Sequence, residues 1–265
     1  MIRTEPRFAY RQKTYALDDV EGMARGVEED GFALVPGVLS QDDVRAACRH
    51  IDELQPIHWD RLGLTDHFKN VFNQDTFFLQ FIDRAPIIDL AEAVMSSECH
   101  IIGQTAWRSH PGHDGSGIHA DDLFMTIDED LLISGRVRMP VYLCTAHYYL
   151  SDITEDLCPT KVIAGSHLAG HAPEKGETIW NGRELESVLC KAGDVLFFRC
   201  EVWHSGSLNV TKAQTRYLLQ VHYGRRQIAQ HFSPFLSWQF HPDVLKQANP
   251  RQRRLLGDHR QMAYD

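Results

Sequence analysis

The hydrophobic period of the chain changes near residue 100. Before that point apolar residues recur at helical spacing: Val44, Ala47, Cys48, Ile51 and Leu54 fall on one face. Ser40 stands ahead of them with Asp43 three residues on, a relative of the capping box. A second helix is predicted from near Pro86, with Ile87, Leu90, Ala91, Val94 and Met95 on one side. After residue 100 alternation takes over. Val137, Met139, Val141 and Leu143 alternate with Arg136, Arg138, Pro140 and Tyr142, which predicts a half-buried strand that Pro140 places at an edge or a bulge. Further strands are expected over 100–107, 160–164, 194–200 and 216–223, separated by turn-rich segments. No repeat, low-complexity tract or linker interrupts the chain. The pattern predicts a mainly β fold with helices (α+β) in one domain, 1–265. N-terminal helices would flank a jelly-roll or cupin-like double-stranded β-helix core at about 100–225.

Composition narrows the class. With 43% hydrophobic and 10% aromatic residues over 265 positions, the chain can bury a core without a disulfide framework. The six cysteines are scattered and form no C-x-x-C pair, which predicts free thiols in a reducing compartment. A formal net charge of −9 argues against a general nucleic-acid binder, whose affinity rests on neutralising phosphates. The first residues, MIRTEPRFAYRQK, lack the apolar stretch of a secretory signal, and no run approaches a membrane span. The expectation is a soluble, cytoplasmic protein that acts on a small molecule, with neither nucleic acid nor membrane as partner. Monomer or homodimer is left open.

Candidate chemistry must be sifted from fifteen histidines. His119-Ala120-Asp121 follows the glycine-rich segment 111–117, which reads as a loop feeding a strand. Two residues apart on an extended chain, the imidazole and the carboxylate share one face. His204 ends the apolar run that begins at Val195, and could complete a two-histidine, one-carboxylate face with three positions open for chemistry. Arg216 opens the next strand, and a planar guanidinium suits a carboxylate bidentately. Each residue also has a plainer reading, as a strand-end histidine or a solvated arginine. Two other classes stay open: a zinc hydrolase built on His110, His113, His119 and Asp121, and a non-catalytic β-sandwich.

Taken in order, these motifs resemble one family. Gly31 to Ser40, Leu150 to His167, the stretches Gly193 to Phe198 and Trp203 to Asn209, Arg216, and the tail 250–257 together resemble the phytanoyl-CoA dioxygenase family of Fe(II)- and 2-oxoglutarate-dependent oxygenases, over nearly the whole chain. The resemblance implies that His119, Asp121 and His204 bind Fe(II) and that Arg216 binds the distal carboxylate of 2-oxoglutarate. It also implies cosubstrate contacts from Gln104 and Thr160, with O2 as the third reactant. Hydroxylation, desaturation or cyclisation at an unactivated C–H is the implied outcome. Related halogenases lack the carboxylate that Asp121 supplies here.

Two departures stand out. Arg216 lies one residue further from its histidine than in much of the family, which leaves the turn 208–214 to absorb the difference; Arg225 and Arg226 are fallbacks. Leu157-Cys158 also replaces the usual Asn-Gly before Thr160. The expected substrate is a small organic molecule of specialised-metabolite biosynthesis. The alternative is an acyl-CoA or carrier-tethered substrate, whose phosphates would meet Arg251, Arg253 and Arg254; the plainer reading of those arginines is a solvated helix face. The aromatic segments 68–81 and 232–240 read as pocket lining or as core, His110 and His113 as substrate contacts or solvated residues. His147, Tyr148 and Tyr149 sit on a strand that could face either way.

Overall fold

The computed structural model describes residues 13–58, 62–232 and 237–261, so the charged start of the chain and part of the 232–240 segment lie outside the described residues. Twelve strands are found among them: β1 Phe32–Val35, β2 Ile57–His58, β3 Thr65–Lys69, β4 His100–Ser109, β5 Leu143–Tyr149 and β6 Thr160–Val162, followed by β7 Ile179–Trp180, β8 Arg183–Glu184, β9 Glu186–Ser187, β10 Val195–Arg199, β11 His204–Gly206 and β12 Arg216–Gly224. Seven form one antiparallel sheet in the order β1-β10-β5-β12-β4-β3-β2. A smaller antiparallel sheet runs β11-β6-β9, and β7-β8 make a ribbon.

The period-2 pleat divides the large sheet into two unlike faces. Ala106, Ala146, Tyr148, Phe197, Leu219 and Val221 point toward the helices Val20–Glu29, Gln41–Glu53 and Ile87–Val94, whose apolar stripes complete the main core. Ser40 and Asp43 form the full capping box expected of them. The opposite face meets the small sheet through Leu34, Leu196, Phe198, Leu218 and Tyr149 against Val162 and Ala164. The aromatic residues Phe72, Phe78, Phe81 and Phe232 are buried in the main core, with Phe72 and Phe232 edge to face at 5.3 Å. Packing is therefore the role of those described aromatics.

Two expectations need correction. The alternating segment 137–142 is not a strand; pairing begins only at Leu143. Its carbonyls are taken by side chains instead, Val141 O by Arg225 Nε at 2.7 Å and Met139 O by Arg199 Nη2 at 3.4 Å. The true strand, LCTAHYY, is buried at every position, because helices and the small sheet cover both faces and erase the alternation. The solvated helix face expected of the basic tail is in part a set of ion pairs. Arg251 bonds Glu92 and Asp89, each at 2.7 Å, and Arg254 bonds Glu92 at 2.5 Å, which staples the helix Pro250–Leu255 to the helix Ile87–Val94. The described cysteines are free thiols, and no helix among the described residues is long and apolar enough to cross a membrane.

At the end of β10, Arg199 and Glu201 form a forked pair, both bonds 3.2 Å, with both side chains almost fully buried. Removing one charge strands the other in low dielectric. Glu201→Gln should cost about 3 kcal/mol in a urea denaturation. The double variant Arg199→Met/Glu201→Leu should recover most of that loss, and failure to recover it would contradict the assignment.

Candidate metal centre

His119 and His204 are locked to each other through the backbone. The amide of each donates to the carbonyl of the other, both at 2.9 Å, an isolated antiparallel bridge rather than a regular strand pair. The expected strand through His119-Ala120-Asp121 is thus a single bridge, and the segment then bends so that Asp121 N–H donates to Cys200 O at 2.9 Å. The glycine-rich loop lies over β11. At Gly115, in the left-handed region at φ 77°, a Cβ would meet Gly206 O at 2.6 Å. Only glycine allows that approach.

Tautomers follow from these contacts. His119 Nδ1 donates to Gly117 O at 2.8 Å and His204 Nδ1 to Val202 O at 2.9 Å, so in each neutral ring Nε2 keeps its lone pair. The two Nε2 atoms stand 3.6 and 3.4 Å from Asp121 Oδ1. Those distances are long for hydrogen bonds and a few tenths of an ångström wider than the roughly 3 Å between neighbouring donors that each lie about 2.1 Å from one octahedral ion. The three donor atoms lie within 4.8 Å of one another, and no other such group of three occurs among the described residues. Without an ion, a proton on either Nε2 points at Asp121; that donation outweighs burial, holds the Asp121 carboxyl well below the usual carboxylate range and raises His119. A metal ion would take the place of those protons. Two neutral nitrogens and a persistent carboxylate on one face suit a divalent ion with open positions.

The triad opens on a cavity of about 810 Å³ between the two sheets. Arg216 lies on its wall, 92% buried, on the same pleat face as Leu218, Gln220 and His222. The extra residue before it is absorbed by a turn built on Asn209, whose side chain donates to Ser109 O at 3.0 Å and Gln214 O at 2.8 Å and accepts from Thr211 N–H at 3.1 Å. Arg216 Nη1 donates to Cys158 O at 2.6 Å, and no carboxylate pairs with the guanidinium among the described residues. Cys158 itself sits in the left-handed region at φ 34°, the conformation its usual Gly counterpart would take freely. Thr160 lines the same cavity.

Other candidates fall elsewhere. Gln104 points to the helical side of the sheet, fully buried, where Nε2 donates to Phe78 O at 3.0 Å. A register of one residue separates it from its neighbour Thr105, which does line the cavity. His110 bonds Asp66 and Thr215, each at 3.0 Å, and His113, which does line the cavity, bonds Thr65 at 2.7 Å; neither joins the three donor atoms. Arg225 bonds a backbone carbonyl away from the cavity, and the fallback is not needed. On β5, His147 faces the cavity, Tyr148 donates to Phe81 O at 3.1 Å in the helical core, and Tyr149 packs with the small sheet. Trp107, Thr145, Gln220 and His222 also line the wall and were not singled out from sequence. Strand parity fixed by Arg216 would have marked Gln220 and His222.

Known proteins can now be set beside this geometry. The family model described as phytanoyl-CoA dioxygenase matches residues 27–217, well over half of the chain. A curated relative, the dioxygenase af480 of Aspergillus fumigatus, is 20% identical over 256 residues, which is 90% of this chain and 75% of the relative. Among solved structures, HygX from Streptomyces hygroscopicus with nickel and 2-oxoglutarate bound superposes with a TM-score of 0.64 at 18% identity, covering 83% of this chain and 94% of that one. The epimerase SnoN, in complex with Fe3+, alpha ketoglutarate and nogalamycin RO, gives a TM-score of 0.61 at 19% identity, covering 78% and 84%. At those identities the superpositions speak for the fold.

Burial, against the pull of Asp121, pushes His222, and burial aided by Lys69 pushes His67, from an ordinary 6.5 down to about 4. A depressed folded-state value means that the unfolded chain binds more protons between those limits. Stability should therefore fall as the pH is lowered from 6.5 through 4, measured by urea midpoints, and His222→Gln should flatten that slope. A slope unchanged by the substitution would contradict the assignment.

Proposed function

The chain belongs to the phytanoyl-CoA dioxygenase family and is an Fe(II)- and 2-oxoglutarate-dependent dioxygenase; from that premise we propose that it oxidises an unactivated C–H of a small organic molecule in specialised-metabolite biosynthesis. The observation that carries this reading is the donor set: two imidazoles whose Nε2 atoms keep their lone pairs in the neutral rings and one carboxylate, on one side of a cavity whose wall holds a buried arginine with no carboxylate partner among the described residues. We read the antiparallel sheets as the two halves of a double-stranded β-helix within a single domain. HygX and SnoN, enzymes seen with 2-oxoglutarate or with a nogalamycin compound, support the small-molecule reading by similarity of fold.

His119, Asp121 and His204 would hold Fe(II), which supplies, with 2-oxoglutarate and O2, the oxidising power for C–H cleavage. Asp121 contributes the one negative charge of the set, its carboxyl held well below the usual carboxylate range. Gly117 O and Val202 O keep both rings turned so that Nε2 faces inward. Arg216 would anchor the distal carboxylate of 2-oxoglutarate; its Nη1 bond to Cys158 O fixes the guanidinium plane before the cosubstrate arrives. Thr160 stands on the same wall as a second hydrogen-bonding group. With Asp121 occupying the carboxylate position, oxygen transfer, desaturation or cyclisation is favoured over halogenation.

Asp121→Ala should bind Fe(II) weakly and abolish coupled succinate formation. Arg216→Gln should raise the KM for 2-oxoglutarate about tenfold or more, the cost of a lost charge-assisted bond. Full succinate turnover by Asp121→Ala, or tight zinc with no 2-oxoglutarate turnover in the parent, would overturn the reading.

A further inference from the structure

The polar half of the cavity wall has an internal direction, and Gln220 sets it. Trp107 Nε1 lies 2.6 Å from Gln220 Oε1; an indole N–H only donates, so that atom of the amide is the oxygen. Thr105 Oγ1 stands 2.8 Å from the same oxygen and must donate to it, which uses its single hydrogen. His222 Nε2, 3.2 Å from Thr105 Oγ1, is then the protonated nitrogen of a neutral ring. Its Nδ1 is bare, so Thr145 Oγ1 donates to it at 3.0 Å. On the other side the Gln220 amide donates to His147 Nε2 at 2.7 Å.

Every hydroxyl and ring hydrogen in this chain of contacts, from Thr145 to Gln220, is spent inside the wall. What Thr105 and Thr145 can offer a guest is oxygen lone pairs. The cavity lining also carries the carboxylates Asp114 and Asp122 and the cations Lys69 and Arg216, the last reserved for 2-oxoglutarate in the reading above. A guest that brings donors is matched by the stretch of wall around Gln220, whereas a carboxylate or phosphate laid against that stretch finds no free hydroxyl or ring hydrogen.

Building on the oxygenase reading above, we propose that the substrate is a polyhydroxylated or amino-bearing molecule, of the aminocyclitol or glycoside type, and that Gln220 is a specificity-determining residue. An acyl-CoA fits poorly: its chain would line hydroxyls and its phosphates would find no arginine cluster, since Arg251 and Arg254 are bound to carboxylates on the helical side.

The test is a panel of aminocyclitols and glycosides set against octanoyl-CoA and a free fatty acid. Each compound is titrated by thermal shift, with and without Fe(II) and 2-oxoglutarate, and by stimulated succinate release. Members of the hydroxylated panel should raise the melting temperature. Gln220→Met, similar in shape but without the amide, should raise the half-saturating concentration about tenfold or more. Thr145→Ser should restore binding that Thr145→Val loses, which distinguishes lone pairs from packing. A response to octanoyl-CoA or fatty acid alone, or silence from the whole hydroxylated panel, overturns the proposal. Melting shifts without any succinate release would uphold it while sinking the oxygenase reading; succinate release driven by octanoyl-CoA alone would do the reverse.

Discussion

The reciprocal pair of backbone hydrogen bonds between His119 and His204 is the constraint on which the site depends. It joins a glycine-rich loop to a short strand of the small sheet and sets two imidazoles 4.3 Å apart, centroid to centroid. Once that distance is fixed, Asp121 needs only one further anchor, Cys200 O, to bring its carboxylate to both Nε2 atoms. The anchor lies between the buried Arg199 and Glu201, so a costly ion pair holds the segment that holds the carboxylate. Rigid backbone partners on every donor leave little for an incoming ion to organise.

The large sheet does two jobs with one pleat. Its helical face is largely apolar, with Tyr148 and the Gln104 Nε2 bonded to backbone carbonyls, and it carries the fold. Its inner face changes character across its width, from Leu196 and Phe198 on β10 to Gln220, His222 and Thr105 on β12 and β4. Burying that second half would cost stability were its polar groups not bonded to one another. The same bonds leave the Thr105 and Thr145 oxygens as acceptors toward the cavity.

Much of this was legible in the sequence, and the failures have a common cause. The helix Gln41–Glu53 could be read because its capping and its one-sided stripe are local. The triad and Arg216 were marked by the family resemblance that the ordered motifs carry, and the fold gathers those four side chains around one cavity. The segment 137–142 misled because alternation predicts pairing only where a neighbouring strand is available, and there the carbonyls went to Arg199 and Arg225. Gln104 misled by a single register step, which pairing with β12 decides and local pattern does not. The wall around Gln220 joins residues more than a hundred positions apart, and no local pattern encodes such a contact.

The position of iron in the folded protein tests the central claim most directly. Crystals grown without oxygen and loaded with Fe(II) would be measured on both sides of the iron absorption edge. The account predicts one strong anomalous peak, bonded to the Nε2 atoms of His119 and His204 and to the Asp121 carboxylate. A peak at His110 or His113, or none between the three donors in iron-loaded crystals, would contradict it.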